Sequence, residues 1–242
     1  LRQAKSNRLI RGTATIRGQH LAAEPIRLHA KDLQIEEATV NSQAVKISTD
    51  NGPAQITIKF SLTLTDAMHG IYPCYYKHQG QKCELYATQF ESHHAREAFP
   101  CVDEPEAKAT FAISILSNEP VVLSNMPVIS QRESSEGTLT TFEQTPCMST
   151  YLTAFVAGDL QRATTATKSG VEVNVYATPA QSAGSLNWAL QHAAQTIDFF
   201  NEYFGVPYPL PKSDHVALPD FSSGAMENWG LVTYRETALL AD

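Results

Sequence analysis

Cysteine is scarce in this chain, with four residues among 242 (Cys74, Cys83, Cys101 and Cys147), and none of their spacings is that of a CxxC pair. That is too few for a disulfide scaffold. Cys74 and Cys83 flank YYKHQGQK, a hairpin-like stretch across which they could face each other, but reduced thiols in a cytoplasmic protein are the simpler expectation. Long apolar runs are also missing. No stretch approaches the roughly 18 residues that cross a bilayer, so the sequence predicts a soluble protein without membrane contact. The first residues, LRQAKSNRLIRG, are basic but have no apolar h-region and do not read as a secretory signal. Clustered Lys and Arg are lacking as well. A formal net charge of -7 excludes a nucleic-acid backbone as the expected partner. What remains, 43% hydrophobic and 18% charged residues with both signs interspersed, is ordinary globular composition, long enough for one large or two modest domains.

The first two thirds alternate with period two. In AQITIKFSLTLT, Ile56, Ile58, Phe60, Leu62 and Leu64 share one face while Gln55, Thr57, Lys59, Ser61 and Thr63 share the other, as in a half-buried strand. TATIRG, TFAISIL, TLTTFEQ and STYLTAFVAGDL continue the pattern, with turn signals at HQGQ and SEGT. The pattern predicts an all-β, sandwich-like domain over residues 1–163. RATTATKSG reads as a polar connector, and residues 164–242 as a second unit. There VEVNVYATP, HVALP and WGLVTY read as strands. SLNWALQHAAQTIDFFNEYFG reads as a helix with Leu186, Leu190, Ala193, Ile197, Phe200 and Phe204 on one stripe, capped by Ser182 or Ser185 and ended by Gly205. Such a helix needs a partner layer that the sequence barely supplies, so the second unit reads as unfinished and self-association through its exposed part is expected.

Two stretches stand out: YATQFESHHAREAFPCVDEPEAKATF at 86–111 and SSGAMENWGLVTYRE at 222–236. Together with MSTYLTAFVAGDL, NVYATP and GVPYPLPK, in this order, they resemble the zinc aminopeptidases that include aminopeptidase N and the puromycin-sensitive aminopeptidase. The resemblance covers most of residues 60–242. It implies a mainly β fold, with an N-terminal saddle-like sandwich followed by the start of an α+β, thermolysin-like catalytic domain. It also implies an enzyme that removes N-terminal amino acids from peptides with a free N-terminus.

The physical reading of the two motifs agrees with that implication. An exopeptidase must hold a free α-ammonium at a fixed distance from the reacting bond, and carboxylates are its natural partners. At about 4 Å and an effective dielectric near 20 each contact amounts to roughly 4 kcal/mol before desolvation. The resemblance gives this grip to Glu91 and Glu227. It makes Ser223, Gly224, Ala225, Met226 and Asn228 part of an edge strand to which substrate adds through main-chain hydrogen bonds, and it places Gln89 and Ser223 at the pocket for the first side chain. Ser92 replaces a common Pro after the TQFE Glu, and His94 replaces a small or acidic residue. In HHARE, His93 and Glu97 are four apart, the spacing of ligands on a helix face, but the resemblance gives the stretch to a loop without metal, and solvent-facing side chains are expected. Arg96, Asp103, Glu104 and Pro105 read as scaffold.

A zinc peptidase of this type also needs HExxH and a downstream third ligand. No HExxH occurs here. The chain therefore reads as the part of the enzyme that precedes the metal helix: no catalytic residue and no metal ligand are expected in it, zinc is expected only in the intact enzyme, and the chain alone is expected to be inactive. Two other readings stay open. A non-catalytic scaffold with the same fold would have no ammonium for Glu91 and Glu227 to bind. A leukotriene-hydrolase-like enzyme would carry Gln at Glu91 and GGMEN in place of GAMEN.

Overall fold

The computed structural model describes residues 8–20, 25–41, 43–44 and 52–240, so most of the basic N-terminal stretch lies outside the described residues. Most of the regular structure among them is β. One sheet holds β1 (Leu9–His20), β4 (Gly52–Thr63), β2 (Gln34–Val40) and β3 (Gln43–Ala44), in that order. A second holds β5 (Gly70–His78), β6 (Gln81–Gln89), β11 (Phe155–Gly158) and β8 (Val121–Ser124). A small third sheet orders β7 (Ser114–Ser117), β10 (Gly137–Phe142) and β9 (Val128–Ser134). The period-two reading of β4 holds on its inward face: Ile58, Phe60, Leu62 and Leu64 are buried. They meet Ile71 and Tyr86 of the second sheet and Phe90 just past its β6 strand, which makes the expected sandwich. HQGQ is the turn of the β5–β6 hairpin. Gln79 and Gly80 both have positive φ, 49° and 78°, as a two-residue hairpin loop of matching twist requires. In that register Cys74 lies opposite Leu85 and Cys83 opposite Tyr76, so the two cysteines do not face each other. All four cysteines are free.

The β5–β6 sheet is buried on both faces. Its other side contributes Tyr72, Cys74, Leu85, Ala87, Leu123 and Val156 to a core completed by Val216, Leu218, Met226 and Leu231 of a five-stranded sheet and by Phe221 of the turn between its strands. That sheet orders β12 (Gln161–Ala166), β13 (Glu172–Ala177), β14 (Lys212–Leu218), β16 (Leu231–Arg235) and β15 (Ala225–Met226). β13, β14 and β16 are parallel, and the outer strands β12 and β15 are antiparallel to their neighbours. The polar stretch RATTATKSG is therefore not all connector: residues 162–166 belong to an edge strand whose polar alternation reflects one solvated face. The chain leaves the second sheet at Gly158 and enters the five-stranded sheet at Gln161.

Helix α1 (Ser185–Phe204) covers the far face of the five-stranded sheet. The partner layer missing from the sequence reading is this sheet itself: Leu186, Ala189, Leu190 and Ala194 pack on Val173, Val175, Ala177 and Ala217. The stripe is shorter than expected, because Phe200 and Phe204 stay 46% and 65% exposed. Gly205 ends the helix in the left-handed conformation, at φ 65°. The start has Gly184 rather than a serine at the cap, and Ser185 Oγ donates to the Ser182 carbonyl instead. A one-turn helix, α2 (Glu236–Leu239), follows β16. Among the described residues no helix is long and apolar enough to cross a membrane.

Candidate functional site

GAMEN sits at the outer edge of the five-stranded sheet, on β15. The strand is two residues long and among the described residues pairs only with β16, Ala225 with Tyr234 and Met226 with Thr233. Alternation sorts the motif into two sets. Met226 and Asn228 are buried, at 0% and 1% exposure, and Asn228 Nδ2 donates to Thr233 Oγ1 at 3.3 Å. Ser223, Gly224, Ala225 and Glu227 are exposed. The approach to the strand is pinned by Arg235, whose backbone N–H donates to Gly224 O at 3.0 Å and whose guanidinium donates to Phe221 O and Ser222 O at 3.2 and 2.8 Å.

The other motif begins on β6. Gln89 ends that strand opposite Gly70 and is 6% exposed. It lies on the strand face of Leu85 and Ala87, the face that packs with Met226. Among the described residues its Oε1 is buried without a hydrogen-bond partner. Glu91 follows just past the strand end, exposed, and its bond to Ser92 is cis. The fold thus turns β6 and β15 toward one shared core, with Glu91 and Glu227 both open to solvent.

Three contacts that no sequence motif announced link the second sheet to the five-stranded sheet and its turns. Asp220 accepts from Tyr72 Oη through its carbonyl at 3.1 Å and from the Tyr75 N–H through Oδ2 at 2.6 Å. Buried Asn125 donates to Leu152 O and Trp229 O, both at 2.8 Å. Lys212, an almost fully enclosed lysine, donates to Ser124 O at 2.9 Å, Gly230 O at 2.8 Å and Asp214 Oδ2 at 2.6 Å. Burial lowers its pKa while Asp214 acts to raise it. Beside this pair, His215 lies between Ser213 Oγ and Tyr234 Oη, and burial together with the Lys212 charge pushes its pKa down to about 4.

HHARE departs from the expectation of solvent-facing side chains. His93 is exposed, with its Nδ1 2.7 Å from Ser92 Oγ. Glu97, on a single 3-10 turn at Ala95–Glu97, is only 10% exposed in its side chain and meets Lys31, His69 and His94. The i, i+4 pair of the sequence, His93 and Glu97, is not what the fold joins. His69 enters from the start of β5, and nothing in the local sequence links it to HHARE. Arg96 has the scaffold role read for it, donating through Nε to buried Asp103 Oδ2 at 2.9 Å and through Nη2 to Asp103 O at 3.0 Å.

Comparison with known proteins adds the following. The family description "Peptidase M1 N-terminal domain" matches residues 1–152, and "Peptidase family M1 domain" matches residues 188–242. An aminopeptidase N of Lactococcus lactis subsp. lactis is 48% identical over 254 residues, covering 98% of this chain and 30% of the relative. A puromycin-sensitive aminopeptidase of Caenorhabditis elegans is 42% identical, covering 91% of this chain and 26% of the relative. An aminopeptidase M1-A of Oryza sativa subsp. japonica is 48% identical, covering 79% and 22%. The chain thus spans less than a third of the length of these curated relatives.

Proposed function

Since the chain belongs to the peptidase M1 family, we propose that it forms the substrate-amine-binding part of a metalloaminopeptidase that removes N-terminal residues from peptides. The observation that carries this reading is the shared core: Met226 of β15 and Leu85 and Ala87 of β6 lie in one buried cluster. The strand that ends at Gln89 and the strand that leads to Glu227 are therefore fixed relative to each other before any ligand arrives.

On this reading Glu91 and Glu227 receive the peptide's α-ammonium, and the exposed edge of β15 pairs with the peptide backbone. The unpartnered Gln89 Oε1 offers a hydrogen-bond acceptor to the first residue of the substrate. Two carboxylates around one ammonium discriminate against internal or N-blocked peptides, which have no charge to offset the desolvation of the acids. The zinc that the family resemblance implies would take its ligands from HExxH, which these 242 residues do not contain. The chain does not supply that ligand set, so its contribution is binding and orientation, and peptide hydrolysis by this chain alone is not expected.

Titration calorimetry or NMR of this chain with a short free-amine peptide and its N-acetylated counterpart tests the reading. Binding of the first and not the second, lost in Glu227→Ala, is expected. Equal behaviour of the two peptides overturns it and leaves the scaffold reading ahead.

A further inference from the structure

We propose that His69, His94 and Glu97 form a binding site for one divalent transition-metal ion of the zinc class. The three donors come from two segments, His69 from the residue before β5 and the others from the turn that follows Glu91. His69 Nδ1 lies 2.6 Å from Glu97 Oε2 and His94 Nδ1 lies 3.1 Å from Glu97 Oε1. The three ligand atoms all lie within 4.8 Å of one another. Two imidazoles and a carboxylate are donors that suit zinc and its neighbours, and such a set leaves a position open to water.

The protein holds these groups by packing. Ala95 is fully buried, His94 N–H donates to Phe90 O at 2.9 Å and Glu97 N–H to His94 O at 3.1 Å. The His94 ring is stacked with both His69 and His93, with centroids 4.2 and 4.8 Å apart. Gly70, with φ 65°, lets Glu97 lie against the start of β5, since a Cβ there would come within 3.3 Å of Glu97 Cβ and Oε2. Ligand atoms of a tetrahedral site with bonds of about 2.0–2.1 Å stand roughly 3.3 Å apart, so the His69–Glu97 pair at 2.6 Å needs to open by about 0.7 Å, and any pair near the 4.8 Å limit needs to close by about 1.5 Å, to admit an ion.

The competing account is a plain ion-pair hub. Lys31 Nζ lies 2.7 Å from Glu97 Oε1, and burial opposes the Glu97 charge less than Lys31, His94 and His69 favour it, leaving its pKa at about 2. The two accounts differ in chemistry. An imidazole can give up its proton and offer a lone pair to a metal, and Lys31, more than half exposed, can swing away. Lys31 and a divalent ion compete for the same carboxylate. Occupancy would cross-link the start of β5 to the segment that carries Glu91.

Zn2+ titration of the 242-residue chain against a competing zinc indicator, with histidine ring NMR, tests the proposal. One saturable site is expected. His69→Gln and His94→Gln should each weaken it by at least the roughly 10–100-fold that even outer-shell partners of a metal cost. His93→Gln should leave it unchanged, and Lys31→Met should tighten it. In the wild-type chain Zn2+ should move the ring signals of His69 and His94 before those of any other histidine, a readout that does not depend on a variant folding. Absence of saturable Zn2+ binding to the wild-type chain, or binding that the double His69→Gln, His94→Gln change leaves intact, overturns the proposal. Neither result bears on the amine-binding reading, which rests on Glu91 and Glu227.

Discussion

The Tyr72 hydroxyl donates to the Asp220 carbonyl at 3.1 Å, joining residues 148 positions apart. Tyr72 is on β5, in the hairpin that ends at Gln89, and Asp220 opens the turn that leads into GAMEN. The same turn accepts the Tyr75 N–H at 2.6 Å and sends Phe221 into the shared core. The relation between the two motif strands is therefore set by hydrogen bonds that each join a side chain to a main-chain group, together with buried side chains.

If Glu227 and Glu91 grip the α-ammonium, Glu227→Ala in an aminopeptidase of full family length built on this chain should raise KM and lower kcat on free-amine substrates. A misplacement of about 1 Å can cost on the order of a hundredfold in rate, and an effect of that size on kcat/KM is expected. Steady-state kinetics that match wild type would rule out the grip.

Lys212 is enclosed, and it satisfies two carbonyls and the buried Asp214. Lys212→Met leaves Asp214 as an uncompensated buried charge, so a loss of about 3–5 kcal/mol is expected from urea unfolding. Adding Asp214→Asn should recover part of that loss. A single variant as stable as wild type would show that the pair has no such role.

His215 should make stability pH-dependent. Its folded pKa lies near 4, below the ordinary 6.5, so the unfolded chain binds a proton that the folded chain refuses. The stabilisation is complete above pH 6.5 and is lost as pH falls from there toward 4, by up to about 3 kcal/mol at roughly 1.4 kcal/mol per unit. Glu97 acts in a lower window. Its contribution is complete above its ordinary 4.5 and is lost as pH falls toward 2. Urea midpoints measured across these ranges should show two separate declines, and His215→Phe should flatten the upper one only.

Gly230 has φ 74°, and a Cβ on it would overlap the Asn125 carbonyl oxygen. Gly230→Ala combines the left-handed cost of about 1–2 kcal/mol for an L-residue with the displacement of backbone that cannot yield. Reduced thermal stability is expected. The exposed Gly224, with nothing among the described residues within 4 Å of its Cβ position, should tolerate alanine far better. Calorimetry of the two variants compares them directly.

Local pattern made part of this protein legible. Alternation in β4 identifies the face that closes the sandwich, the helical period finds α1 within its observed bounds, and the HQGQ dipeptide turn places the β5–β6 hairpin. It failed where burial is two-sided or where solvent decides. The strands of the β5–β6 sheet face cores on both sides, and β12 is polar because it is an edge. The aromatic end of α1 continues the helical stripe but extends past the sheet that would cover it.

The sequence by itself determined the family motifs, the positions of the carboxylates on which the amine-binding proposal rests and the lack of HExxH, because each is a matter of residue type and order along the chain. Only the tertiary structure decided which distant residues meet. The pairing of Tyr72 with Asp220, the enclosure of Lys212 by Ser124 and Gly230, and the convergence of His69 on Glu97 all depend on how sheets stack. Stacking is fixed by the summed burial of many apolar side chains, and no local window of sequence contains that sum.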